Sequence, residues 1–323
     1  MLAAYVRQFD RDDPLAGLEV GEVPDAAPPA EHPDWVVVDV RAAALNQHDL
    51  WSLRGVGLRE SQLPMVLGCD SAGTTPEGRE VLVHAVVGSL PLKGVPADVE
   101  ERSILSERYP GTLAEKVAVP AENLLDKPDW LSWEEAACLP TAWLTAYRAV
   151  FVEGGAEPGD VLLVQGAGGG VATAATVLGV AAGLEVHVTS RSAERRARAE
   201  SLGATAHEPG SRLPRRADVV LESVGRATWE HSVGSVRAGG TIVVVGATTG
   251  DPDRLGTPRL FFHELRVVGV TMGSVEHLRE LLDLLGRTGA RPVVDRVLPL
   301  AEARAAFERL DRGEQFGKVV LRP

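Results

Sequence analysis

Four glycines in one short turn are the first residues of this chain that could do chemistry. Val161–Ala172 reads VLLVQGAGGGVA, with Gly166, Gly168, Gly169 and Gly170 where an apolar strand gives way to a helix. A diphosphate bound at such a turn needs backbone without Cβ atoms in its way and N–H groups at the positive end of the helix dipole. Tight turns also collect glycine. The string gains its meaning from its place between a buried strand and a helix, where a dinucleotide-binding turn belongs.

The next strand, EVHVTSR, ends in Ser190 and Arg191. An NAD site would usually place an acidic residue there to accept hydrogen bonds from the adenosine ribose. Arg195 and Arg196 follow in the first turn of the next helix, where cations oppose the dipole. A dianionic 2′-phosphate among them would offset that cost, and the forked guanidinium suits phosphate. The pattern predicts NADPH as cofactor. The other reading is a solvated helix face on which Glu194 and Glu200 balance the arginines.

The remaining reactive residue types are sparse. Two cysteines, Cys69 and Cys138, are too few for a disulfide framework or a four-cysteine zinc site, and both read as small buried residues. The eight histidines show no ligand spacing along the chain. A net charge of −12 over 323 residues argues against nucleic acid or a membrane surface as general partner and leaves a small anionic ligand open. No apolar run reaches the roughly 18–20 residues that cross a bilayer, and the opening MLAAYVRQFDRDD turns acidic before a signal-peptide pattern develops. A cytoplasmic protein acting on a small molecule is the expectation.

Several elements must position these residues. The length allows about two domains. Trp35–Asn46, Arg79–Gly88 and Thr112–Pro120 are short, Val-rich stretches bounded by Gly or Pro, so the first third is predicted to be β-rich. Between the last two, Ser89–Gly111 reads as a polar surface excursion. Trp133–Phe151 has helical spacing, with Ser132 as N-cap and Glu135 completing a capping box. Strand and helix patterns then alternate to about residue 273, which predicts a parallel sheet covered on both faces. An amphipathic helix over Val275–Thr288, a strand, a second helix and the closing GKVVL strand complete the chain.

Taken in order, AALNQHDLWSLRG, LPMVLGCDSAG, GTLAEKVAVP, EEAACLPTAWLTAYRAV, VLLVQGAGGGVA and FGKVVL resemble the medium-chain dehydrogenase/reductase superfamily, in its zinc-independent quinone oxidoreductase-like branch. The resemblance implies an α/β fold: a Rossmann-type doubly wound parallel sheet plus a discontinuous GroES-like β domain. Residues 1–142 and 274–323 would form the GroES-like catalytic domain, and 143–273 the Rossmann NADPH-binding domain. It further implies an NADPH-dependent oxidoreductase that passes hydride to a quinone or an α,β-unsaturated carbonyl. Zinc-dependent members carry ligands where this chain has Asn46, Cys69 and Thr141, and a four-cysteine lobe that Ser89–Gly111 lacks. No metal site is expected, because catalytic zinc needs three protein ligands. An enoyl-thioester reductase and an NADPH-binding protein with little turnover are the alternatives. A homodimer through the LRVVGVTM strand is expected from the family.

The same resemblance assigns roles by motif position. Asn46 and Asp49 would lie near the nicotinamide and the substrate, Asn46 donating its amide to a developing oxyanion and Asp49 holding the loop. Trp51 would offer a flat apolar wall or ordinary packing. Thr141 and Thr145 would stand beside the nicotinamide or bond back into their helix. Val171 would join the glycine turn, while Gly225, Gly246, Ala247, Thr271, Met272 and Gly273 would meet the nicotinamide ribose and carboxamide. Lys318 would approach the cofactor, a solvated tail lysine being the other reading. No residue stands out as the acid. Tyr109 and bulk water are both open, and His48 could reach the substrate.

Overall fold

Residues 1–89 and 101–323 are described by a computed structural model. Of the 89–111 excursion, 90–100 therefore lie outside the described residues. The chain begins with β1 (Leu2–Val6), β2 (Leu18–Glu22), β3 (Val36–Ala44), α1 (Gln47–Leu53), β4 (Met65–Val66), β5 (Asp70–Thr74) and β6 (Glu80–Val83). It continues with β7 (Val86–Val87), β8 (Ser103–Ile104), β9 (Lys116–Val119), β10 (Leu124–Asp126), α2 (Trp133–Ala137) and α3 (Leu144–Tyr147). The alternating part runs β11 (Val161–Val164), α4 (Gly170–Ala181), β12 (Glu185–Thr189), α5 (Ala193–Ser201), β13 (Thr205–His207), β14 (Ala217–Glu222), α6 (Trp229–Ser235), β15 (Val236–Val244), α7 (Thr257–Phe262) and β16 (Arg266–Gly269). Then come α8 (Val275–Thr288), β17 (Val294–Pro299), α9 (Ala303–Asp311) and β18 (Lys318–Arg322).

The chain divides into two units, 1–141 with 294–323, and 142–293. In the first, strands run β10-β6-β5-β3-β18-β17, with β9 also on β3, beside a smaller β2-β1-β4 sheet. β3 pairs with β9 through Val36–Asp39 and with β5 across an irregularity between Val40 and Ala42. Its far end pairs antiparallel with β18, Val320 opposite Ala44. The same register carried two residues on sets Lys318 opposite Asn46.

The second unit holds six strands, all parallel, in the order β13-β12-β11-β14-β15-β16. Numbered within this sheet, the order is 3-2-1-4-5-6, whose reversal of winding direction opens a crevice at the carboxyl ends of the strands. Buried Val161, Leu163, Val220 and Ile242 pack with Trp229 and Val233 into a core on one face. The outermost strand, β16, is poorly covered. Phe262 in α7 is 77% exposed, and Phe261, Leu255 and Val267 are exposed with it.

Two expectations from the sequence need adjustment. The helix predicted over Trp133–Phe151 is not continuous: π turns at Leu139–Trp143 and Arg148–Glu153 flank α3. Pro140 lacks an N–H, so the regular ladder cannot pass through it. The expected capping box is present, Ser132 Oγ accepting from Glu135 N at 3.2 Å and Glu135 Oε2 from Ser132 N at 2.9 Å. Secondly, residues 274–293, assigned to the discontinuous domain from sequence, cluster with the second unit. There α8 buries Leu278, Leu281 and Leu285 and packs against α3, with Tyr147 Oη donating to Glu280 at 3.1 Å.

Candidate active site

In the second unit the glycine turn follows β11 directly. Gly166 and Gly168 have φ of +84° and +97°, a region that favours glycine. Gly169 has ordinary angles, φ −70° and ψ 156°, and a Cβ added there would meet nothing within 4 Å. The fold itself therefore gives no reason for glycine at 169. A ligand approaching the exposed backbone does. Gly169 caps α4 without a side-chain bond, so the first-turn N–H groups of Gly170 and Val171 point outward unsatisfied by the helix. This cradle fits a diphosphate.

A buried polar network that sequence reasoning did not single out holds the strand ends behind the turn. Thr189 Oγ1 accepts from Gly166 N at 3.2 Å and donates to Gln165 Oε1 at 2.8 Å. Gln165 Nε2 donates to Ser232 Oγ at 3.0 Å, and Ser232 donates to Glu222 Oε2 at 2.6 Å. Glu222 Oε1 accepts from Val224 N and Gly225 N at 2.8 and 3.0 Å, and both its oxygens accept from Thr228 Oγ1. Wholly buried, Glu222 thus shapes the turn at Gly225, where φ is +87° and a Cβ would come within 2.5 Å of Gly250 O. A charged residue ending the apolar strand ADVVLE was the available signal.

The other residues expected at the cofactor also follow strand ends. Ser190 follows β12, with its hydroxyl accepting from Ser192 N at 3.2 Å. Arg191 is exposed, whereas Arg196 donates to Ser190 O at 2.7 Å and Glu208 Oε1 at 3.2 Å. Arg195 lies half-buried in the first turn of α5, its N–H donating to Ser192 Oγ. Gly246 and Ala247 follow β15, the latter near Gly225. Past β16, Thr271 O accepts from Arg148 at 3.4 Å, and Met272 is buried with φ +49°. A Cβ on Gly273 would lie 2.8 Å from Leu144 Cδ1. Thr145 is buried within α3.

In the first unit, α1 and the strands beside it build a polar cluster. Lys318 is 2% exposed and donates to Leu45 O at 2.7 Å, Asn46 Oδ1 at 2.5 Å and Asp70 Oδ2 at 2.8 Å. An ammonium has three protons, so none remains for the cofactor or for water. Neither sequence-based reading of Lys318 describes this buried tie. Asn46 Nδ2 donates to the same Asp70 oxygen at 2.8 Å, and its more distant neighbour Ala44 O lies at 3.5 Å. Asn46 is thus engaged at both ends of its amide rather than aimed at an oxyanion. Asp49 accepts from Asn46 N at 2.8 Å and Gly68 N at 3.0 Å, which ties α1 to the loop before β5. Burial raises its pKa, opposed by His48, the Asn46 N–H and Lys318.

Trp51 is 38% exposed, with the Arg54 guanidinium 5.4 Å from its ring centre. Thr141 lies half-buried in the first π turn. Tyr109, by contrast, sits in an aromatic group, 4.6 Å from the Trp35 ring and 3.1 Å from His32 Nε2. Ligand spacing was invisible in one dimension, yet potential ligand atoms of His48, Asp49 and Cys69 lie within 4.8 Å of one another. Each has other commitments. Both Asp49 oxygens accept backbone N–H groups, and the Cys69 thiol, pushed up in pKa by burial, donates to Leu105 O at 3.2 Å. His48 Nδ1 lies 3.5 Å from Cys69 Sγ, and Nε2 lies 3.2 Å from Glu107 Oε1.

A parallel 3-2-1-4-5-6 sheet ending in a diphosphate cradle, carried with a separate β unit bearing a buried polar cluster, defines a two-unit protein of the dinucleotide-binding class. The GroES-like domain of alcohol dehydrogenases matches residues 32–129, and the zinc-binding dehydrogenase family matches 167–321. A zinc-type alcohol dehydrogenase-like protein of Schizosaccharomyces pombe is 32% identical over 93% of both chains. An acryloyl-coenzyme A reductase of Sulfurisphaera tokodaii is 27% identical over 96% of this chain and 98% of its own. A solved structure of an NAD-dependent alcohol dehydrogenase is 32% identical, with a TM-score of 0.87 and full coverage of both chains. The chain belongs to the medium-chain dehydrogenase/reductase superfamily, the zinc-type alcohol dehydrogenase-like oxidoreductases that depend on NAD(P).

Proposed function

We propose that this protein is an NADPH-dependent reductase of carbon–carbon double bonds conjugated to a carbonyl, with an enoyl thioester as preferred acceptor. The observation that carries it is the commitment of the polar cluster. Asn46 is taken up by Lys318 and Asp70, Asp49 by backbone N–H groups, and Cys69 by a carbonyl. Such a donor set does not suit a zinc ion, which needs deprotonated, converging ligands. Without a Lewis acid the acceptor must bring its own activation, and conjugation to a thioester or ketone supplies it. The likeness to an acryloyl-coenzyme A reductase moves the thioester ahead of the quinone or simple enone that the sequence had favoured. No observation favours a quinone.

Bound nicotinamide supplies a hydride, and the chain's own residues bind, orient and exclude water. Gly166, Gly168, Gly169, Gly170 and Val171 would hold the diphosphate. Ser190 and Arg191 would meet the 2′-phosphate, with Arg195 nearby. The loops at Gly225, Gly246–Ala247 and Thr271–Gly273, with Thr145, would meet the nicotinamide half. Thr141 and Trp51 would border the acceptor, and Asn46, Asp49 and Lys318 would brace the loop that faces it. We also infer a homodimer through the uncovered edge of β16. NADPH oxidation measured with crotonyl-coenzyme A, a simple enone and a quinone tests the acceptor. Turnover is expected to be fastest on the thioester. Turnover on the quinone alone would overturn the proposal, as would stoichiometric zinc in active protein.

A further inference from the structure

Behind the glycine turn, one buried amide decides which way a whole chain of hydrogen bonds runs. Gln165 is the last residue before Gly166 and is wholly buried. Its Oε1 accepts from Thr189 Oγ1, and that hydroxyl oxygen accepts from Gly166 N. Its two amide protons go to Ser232 Oγ at 3.0 Å and to His231 Nδ1 at 2.9 Å. His231, half-buried on α6, has its other ring nitrogen, Nε2, 2.9 Å from Ser211 O.

Two acceptors at the far end set the direction. The Ser211 carbonyl can only accept, so the ring proton of His231 sits on Nε2 and Nδ1 presents a lone pair. The Glu222 carboxylate takes the Ser232 hydroxyl proton at 2.6 Å, so Ser232 also presents a lone pair to Gln165. With the amide turned round, Oε1 would face both lone pairs, and the buried Thr189 hydroxyl would lose its acceptor. One orientation alone gives each donor in the chain its acceptor. That orientation holds the Gly166 N–H.

We propose that His231 is a positioning residue for NADP(H): its neutral ring fixes the Gln165 amide, and with it the start of the glycine turn, and a proton gained at Nδ1 releases both. The proposal rests on cofactor binding at the turn and is independent of which acceptor is reduced. A protonated ring sets an N–H of its own against the amide protons of Gln165. Either the amide reverses, which deprives Thr189 of its acceptor, or the ring withdraws, which leaves an amide proton unpaired in a buried place. Both disturb the support beneath Gly166. Cofactor affinity therefore falls on the acid side, as the ring takes up its proton.

His207 on β13 faces the ring, Glu222 on β14 lies beyond Ser232, and Glu230 precedes His231 on α6. Burial lowers the His207 pKa, and the charges of His187 and His231 lower it further. His207 belongs to a different chain of contacts: its Nε2 lies 2.9 Å from His187 Nδ1, and His187 Nε2 lies 3.0 Å from Glu185 Oε1. It serves as the control.

The test is the dissociation constant of NADP⁺, measured by calorimetry from about pH 8 to about pH 5.5, the span in which a histidine ring gains its charge. Wild type is compared with His231→Asn, His231→Leu and His207→Gln. Protonation of the 2′-phosphate in that span is common to every protein compared and cancels. Asparagine sets its carbonyl oxygen where Nδ1 stands and takes up no proton. His231→Asn should match wild type at pH 8 and bind roughly three- to tenfold tighter than wild type at the acid end, the effect of one hydrogen bond. His231→Leu, lacking the acceptor, should already be weakened by a similar factor at pH 8. His207→Gln should follow wild type throughout. Melting curves confirm folding, and His231→Asn carries the test alone if His231→Leu does not fold. Parallel curves for wild type and His231→Asn, equal losses in both His231 variants at pH 8, or an acid loss abolished in His207→Gln would each overturn the proposal while leaving cofactor binding intact. Failure of wild type to bind at any pH would remove the cofactor site with it.

Discussion

At the scale of single residues, the side chains and glycines proposed for the cofactor stand out by type more than those proposed for the acceptor. Glycine at 166, 168 and 169 and arginine at 191 have the chemistries that a diphosphate and a 2′-phosphate would call for. Arg196 looked equivalent to Arg191, and only the fold shows it tethered to Ser190 O and Glu208. The buried tie of Lys318 was hidden for the same reason: its partners lie 248 to 273 residues away along the chain and meet it through strand pairing. Gly169 supports a sharp test, since the protein has space for a methyl group there while a diphosphate would not. Gly169→Ala should leave stability within about 1 kcal/mol and weaken both NADPH and NADH. Arg191→Ala should instead weaken NADPH by about tenfold or more and spare NADH, since a hydrogen bond to a charged group contributes about 1.5–3 kcal/mol. Fluorescence titration of both variants with both nucleotides, beside a melting curve, decides the matter. Equal losses in Arg191→Ala would show that it does not read the phosphate.

Elements were legible where one pattern served one purpose. α8 occupies the predicted Val275–Thr288, because its apolar spacing, its Ser274 cap and Gly289 at φ +71° agree. The Trp133–Phe151 pattern was harder, since Pro140 sits in a stretch that is apolar throughout and periodicity alone cannot show a π turn. β16 was read as apolar and late in the sheet; it is the edge strand, with α7 beside it presenting Phe261 and Phe262 to solvent. An uncovered apolar edge invites pairing with another chain, and a two-fold axis would let β16 meet its own copy. Light scattering should report a dimer for the protein and a monomer for Phe262→Asp. A monomeric wild type at micromolar concentration would contradict this.

At the scale of the whole molecule, the acidic balance of the chain coexists with a cradle for a polyanionic cofactor. Net charge describes the surface at large, whereas the proposed binding would be decided by oriented N–H groups and one or two guanidinium groups nearby. The alternation of strand and helix made the second unit readable, because each period carries its own signal. The first unit joins segments from both ends of the chain, β3 with β18, and such long-range pairing leaves only faint local traces. Its polar cluster was accordingly known by residue type but not by partnership. The account comes down to one chemical event, transfer of hydride from NADPH to the β carbon of an enoyl thioester. Incubating the protein with crotonyl-coenzyme A and NADPH deuterated at C4, on each face in turn, and weighing the product measures it directly. One face should yield butyryl-coenzyme A one mass unit heavier, with the label at the β carbon. Binding of both molecules without deuterium transfer from either face would contradict the account.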